Sequence, residues 1–136
     1  MNAKQRFIAA TGSEQFLEAN QDVALEEYLK AQGWMPQEDK LISTEKPGEG
    51  NMNFVLRVRT TEGSFIVKQA RPWVEKYPQL DAPIGRIHTE AQFYTLVQEN
   101  ETLRKYTPEL LETDLENYLI KVEDLGNGAD FSYVYQ

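Results

Sequence analysis

Three stretches of the sequence carry residues that could act together on a phosphate-bearing ligand. They are Gly48-Glu49-Gly50-Asn51-Met52-Asn53, the run Phe65-Ile66-Val67-Lys68-Gln69, and Arg86-Ile87-His88-Thr89-Glu90. Glycines let a backbone approach phosphate oxygens with no side chain in the way, and successive amides then supply hydrogen bonds. A strand lysine supplies a fixed positive charge, and a helix carboxylate within pairing distance holds that ammonium in place. Strand alternation puts Ile66 and Lys68 on one face, so a planar base resting on Ile66 is compatible with phosphates reaching Lys68. Each part taken singly has a plainer reading. Gly48-x-Gly50 is then a hairpin turn and Lys68 a solvated strand residue. Arg86 and Glu90 become a surface i, i+4 pair worth under ~0.5 kcal/mol. His88 is two positions from Glu90 and on another face, so it reads as solvated or locally bonded. The order of the three features along the chain is what favours their joint use.

Positioning these residues requires strands on either side of the glycines and a helix after the lysine. Leu41-Ile42-Ser43-Thr44 is a short strand candidate, and Phe54 to Arg59 alternates Phe54, Leu56 and Val58 against Val55, Arg57 and Arg59. Thr61-Glu62-Gly63 is a hairpin turn and Ser64 to Gln69 the next strand, which together predict an antiparallel meander. Arg71 to Pro83 contains several prolines and is expected to be a connecting loop, with Trp73 as a packed anchor. From about Gly85 to Glu99, Ile87, Ala91, Tyr94 and Val97 fall on one helical stripe. Leu110-Leu111-Glu112 and Tyr118 to Val122 supply two further strands. Before all of these, Met1 to Gly12 shows little periodicity. Ser13 and Asp22 are candidate N-caps for one broken helix or two short ones, with Gly33 as the stop.

The chain has 136 residues, 40% hydrophobic and 26% charged, the mix of a folded domain. Its net charge of −8 repels phosphodiester backbones and anionic membranes, so neither nucleic acid nor membrane is an expected partner. The absence of cysteine excludes disulfides, thiolate nucleophiles and cysteine-ligated zinc, and a single histidine leaves little for hydrolytic chemistry. No signal-peptide core or membrane span is evident, and a cytoplasmic location is expected.

The glycine loop, lysine and helix together resemble the N-terminal lobe of the kinase-like small-molecule phosphotransferases, which include aminoglycoside phosphotransferases, choline kinases and methylthioribose kinases. The wording is most similar to methylthioribose kinase at Gly48 to Val55, at Lys68-Gln69-Ala70 with Pro72 close behind, at Arg86 and Glu90, and at Val122-Glu123-Asp124-Leu125. The resemblance implies an α+β fold: an antiparallel sheet of about five strands in a protein-kinase-like N-lobe, one packed helix and extra N-terminal helices. It divides the chain into an N-terminal helical segment (1–36), the nucleotide-binding lobe (37–125) and a hinge exit leading to a C-terminal lobe (126–136).

The resemblance also implies roles. Gly48, Glu49, Gly50, Asn51 and Asn53 would form the phosphate loop. Lys68 would meet the α- and β-phosphates and Glu90 would pair with Lys68. Ile66 would lie under the base, with the Glu123 carbonyl and the Leu125 amide at the adenine edge. ATP and magnesium are the implied cofactors, with the magnesium ligands, the catalytic base and most of the pocket for a small-molecule hydroxyl in a C-terminal lobe. The chain by itself is therefore expected to be inactive. Asn53 stands where a protein kinase carries its third glycine, which favours a small-molecule kinase. Asp130-Phe131-Ser132 lacks the glycine of a metal-binding motif and follows the hinge too closely to serve as one. The competing reading is a non-catalytic interaction module of the same shape, forming a homodimer through apolar surface at Tyr118 to Leu125.

Overall fold

The computed structural model describes residues 2–47 and 53–126. Its centre is a five-stranded sheet built from β1 (Leu41–Glu45), β2 (Phe54–Thr60), β3 (Gly63–Gln69), β6 (Leu110–Asp114) and β7 (Leu119–Glu123), in the order β1-β2-β3-β7-β6. All neighbouring strands are antiparallel. Between β3 and β6 the chain forms a small separate hairpin of β4 (Trp73–Val74) and β5 (Tyr77–Asp81), then helix α3 (Arg86–Gln98). Helices α1 (Ala3–Thr11) and α2 (Asp22–Ala31) precede the sheet. The fold is α+β, consistent with a kinase-like N-lobe.

The alternation in β2 and β3 sorts two cores onto opposite sheet faces. Phe54, Leu56, Val58, Phe65, Val67 and Leu119 pack with Leu25, Tyr28 and Leu29 of α2 and with Leu17, Trp34 and Met35. On the other face Ile66, Ala70, Ile120 and Val122 pack with Ile87, Ala91 and Tyr94 of α3. β3 lies between β2 and β7 with helices on both sides, so Phe65, Ile66 and Val67 are all buried. That explains an uninterrupted apolar run where a half-exposed strand would alternate. Each such side chain contributes about 1.5–3 kcal/mol by leaving water.

Two expectations are corrected. The proline-bearing stretch 71–83 is not a plain loop but includes the β4–β5 hairpin, and Trp73 is its buried anchor. Pro78 is tolerated because β5 belongs to a two-stranded ribbon, where one edge needs no amide donor. The N-terminal helices are also displaced. α1 forms in the stretch of weak periodicity, through a reciprocal capping box between Asn2 and Gln5. Its one buried side chain is Phe7, too little to make a stripe. Ser13 caps no helix, and residues 12–18 are irregular. Asp22 is the first residue of α2, after Gln21 as N-cap, and its carboxylate accepts from Thr44 Oγ1 at 3.2 Å.

Arg71 explains why residues 12–18 do not coil. Its guanidinium is buried between the rings of Phe16 (3.9 Å to the centroid) and Phe54 (4.5 Å). It donates to the Leu17 carbonyl and to Gln69 Oε1, and lies 3.6 Å from Glu75. Gln69 completes the tie, accepting from the Leu17 amide at 2.8 Å and donating to the Gln15 and Asn117 carbonyls. Backbone groups that a helix would have paired internally are satisfied instead by the side chains of Gln69, the last residue of β3, and Arg71, just beyond it. Burial pushes the Arg71 guanidinium down to about 10, still charged at neutral pH.

Arg71→Ala should therefore lower unfolding stability by about 3–5 kcal/mol, read from the urea midpoint. Arg71→Lys should recover only part of it, because an ammonium cannot stack flat between two rings. A loss within the ~0.5 kcal/mol of an ordinary surface change would show that the N-terminal segment is held by something else.

Candidate functional site

Lys68 is the penultimate residue of β3, paired with Val55 of β2 and Ile120 of β7, and shares its sheet face with Ile66. Its Nζ donates to Glu90 Oε2 and to the Tyr94 hydroxyl, both at 3.0 Å. The Lys68 and Glu90 side chains are 12% and 21% exposed, so the pair is shielded more than a surface ion pair would be. Glu90 Oε1 accepts from Asn53 Nδ2 at 2.9 Å, and Asn53 Oδ1 accepts from Arg86 Nε at 3.1 Å. Arg86 also donates to the backbone carbonyls of Arg71 and Pro83 at 2.7 Å each. One polar chain thus runs from the α3 N-terminus, through the residue that leads into β2, to the lysine of β3.

The second part of the expected site is the end of β7. Glu123 pairs with Phe65, donates its amide to the Glu109 carbonyl at 2.8 Å, and returns its carboxylate to the Glu109 amide at 3.2 Å. Leu125 is 39% exposed. Between them, Asp124 Oδ2 accepts from Arg57 Nε at 3.0 Å and Ser64 Oγ at 2.7 Å, while Oδ1 accepts from the Gly126 amide. Arg57 reaches on to Glu45 at 3.1 Å. The segment after β7 is thereby tied to β1, β2 and β3.

The structure brings Asn53, Lys68 and Glu90 into direct contact, with Ile66 beside them on the same face. Glu123 and Leu125 form a separate group at the strand end. Gly48, Glu49, Gly50 and Asn51 lie outside the described residues, as do Asp130, Phe131 and Ser132. His88 is exposed and makes an edge contact with Tyr118, as its place on the helix implied. Among the described residues, no group of three or more His, Cys, Asp or Glu could hold a metal ion. No helix among them is long and apolar enough to cross a membrane. In the segment offered as a dimer surface, Leu119, Ile120 and Val122 are buried within the sheet.

Three contributors were missed by sequence reasoning. The sequence places Tyr94 in the core stripe alone and quotes Arg86 in the motif without a role of its own, yet Arg86, Glu90 and Tyr94 recur at four-residue spacing along one side of α3. That spacing was available as a signal. Asp124 had no local signal, since its partners are Arg57 and Ser64, far away in sequence.

The methylthioribose kinase of Yersinia pestis (strain Pestoides F) is 31% identical over 107 residues, covering 74% of this chain and 25% of that protein. That of Pectobacterium atrosepticum is 33% identical over 119 residues, covering 77% and 29%. The chain is similar to methylthioribose kinases. This similarity supports a kinase-like family. The chain spans between a quarter and a third of the length of these relatives. No protein-family model matches it.

Burial alone would raise the Asp124 carboxyl, but the Ser64 hydroxyl, the Gly126 amide and the Arg57 charge together hold it below the usual carboxylate range. A carboxylate depressed in the folded state adds stability above its unfolded value near ~4, and that stability is lost as pH falls through the folded value. Asp124→Asn should flatten the acid limb of a plot of stability against pH, measured by urea unfolding from neutral pH down to about 2. An unchanged limb would mean that Asp124 does not carry the tie.

Proposed function

We propose that this chain is the ATP-binding part of an ATP-dependent small-molecule kinase, one that transfers phosphate to a hydroxyl group, a reading supported by its similarity to methylthioribose kinases. The observation that carries this reading is the Lys68 ammonium, fixed on a buried strand by Glu90 and Tyr94 and directed by the same face that presents Ile66. On a protein of net charge −8, a polyphosphate needs such a locally fixed cation, because the mean field opposes it.

In this reading the amides of Gly48, Glu49, Gly50 and Asn51 cradle the phosphates and Lys68 meets the α- and β-phosphates. The adenine rests on Ile66 with its edge at the Glu123 carbonyl and the Leu125 amide. The residues fit the nucleotide: a held ammonium, an apolar strand face and a strand end with backbone groups for a base. Magnesium, bound with ATP, would neutralise phosphate charge. Its protein ligands, the base and most of the acceptor pocket belong to the length of the relatives that this chain does not span. The chain accordingly binds ATP without turning it over, in the cytoplasm, and has no use for nucleic acid or membrane.

Calorimetric titration of the chain with MgATP and with adenosine tests this. Lys68→Met should weaken MgATP by about 10- to 100-fold, the loss of one charge-assisted contact, with adenosine affinity unchanged. Failure of the unaltered chain to bind MgATP would remove the reading. ATP turnover by the chain alone, abolished in Lys68→Met, would instead show that the catalytic groups have been misplaced.

A further inference from the structure

We propose that Asn53 is a positioning residue, whose carboxamide fixes the plane of the Glu90 carboxylate and through it the ammonium of Lys68. The consequence for phosphate binding rests on the nucleotide reading above; the positioning itself does not.

A carboxylate held by a single contact can still turn about its terminal torsion, which is broad and shallow. Glu90 is held at both oxygens, with Oε2 taking Lys68 at 3.0 Å and Oε1 taking Asn53 Nδ2 at 2.9 Å. The far end of the amide is equally constrained, since Asn53 Oδ1 accepts from Arg86 Nε at 3.1 Å. Arg86 in turn is anchored on the backbone carbonyls of Arg71, Pro83 and Trp73. Chemistry leaves one orientation for the amide, because a guanidinium only donates and a carboxylate only accepts. A carboxylate in place of Asn53 would oppose Glu90, a hydroxyl would be too short to bridge both partners, and a cation could not accept from Arg86.

Asn53 is also the residue immediately before β2, at the end of the glycine-bearing segment. The clamp therefore couples the entry of that segment into β2 to the setting of α3 and to Lys68.

The test reads proton exchange at the lysine ammonium groups of the chain by ¹⁵N NMR, with Lys121 as reference. Lys121 sits at the register next to Lys68 but on the opposite sheet face, where its Nζ donates to the Trp34 carbonyl and touches no member of the clamp. Asn53→Ala should speed exchange at Lys68 by about 3- to 10-fold, the loss of one supporting hydrogen bond, and leave Lys121 unchanged. Glu90→Gln should do the same, because one carbonyl oxygen must then serve two donors, Lys68 and Asn53. Adding Asn53→Asp to Glu90→Gln should restore slow exchange at Lys68. The amide and carboxylate have then changed places, every donor again has an acceptor, and Arg86 keeps its partner. A second measurement, calorimetry of Asn53→Ala, should show roughly tenfold weaker MgATP with unchanged adenosine affinity.

Additive effects in the double variant would overturn the clamp, as would unchanged Lys68 exchange in Asn53→Ala or equal acceleration at Lys121. Should the exchange results come out as expected while the unaltered chain binds no MgATP, the clamp is upheld and the nucleotide reading fails.

Discussion

The tertiary arrangement turns on one buried cation. Arg71 stands just beyond β3, and its guanidinium lies between Phe16 of the N-terminal segment and Phe54 at the start of β2. A buried guanidinium is costly unless its donors are used, and here they are used on Leu17, Gln69 and Glu75. Meeting that demand pulls residues 12–18 into an irregular path over the sheet. Phe7 meets Phe16 in a tilted contact, 5.4 Å between centroids, and its ring lies 6.0 Å from the same guanidinium, which brings α1 into the cluster. The Arg71 carbonyl receives Arg86, so the same residue also sets the start of α3.

The candidate site inherits its rigidity from that anchor. The energy of a lone Lys–Glu contact near a surface is small, and water would compete for both partners. Around Lys68 the competition is reduced by the flanking sheet and α3, and each polar atom of Glu90 and Asn53 has an assigned partner. Shared carboxylates and amides convert several weak contacts into one arrangement that can only move as a unit. The segment after β7 follows the same logic, with Asp124 bonded to residues of two other strands.

Much of the fold was legible in the sequence. The five main strands, the stripe on α3 and the pairing of Ile66 with Lys68 on one face follow from periodicity, because each strand buries a defined face. Periodicity failed where local chemistry or a distant partner decides. α1 rests on a capping box and Phe7. The 12–18 segment resembles an amphipathic helix start but gives its backbone groups to Gln69 and Arg71. The β4–β5 hairpin was hidden by prolines that a free edge tolerates. Of the site, the meeting of Lys68 with Glu90 was legible from order along the chain. The roles of Tyr94 and Arg86 could have been read from four-residue spacing, whereas that of Asp124 could not.

By itself the sequence determined the alternating faces of β2, the shared face of Ile66 and Lys68 in β3, and a lysine and a glutamate placed on a strand and a helix that can face one another. These are properties of residues near one another in the chain, where period and spacing are sufficient. Only the tertiary structure decided that Glu90 is held at both oxygens, that Asn53 joins it to Arg86, and that Arg86 in turn rests on the Arg71 carbonyl. Those contacts depend on the direction in which side chains from separate elements converge, and direction is set by how the helices dock on the sheet.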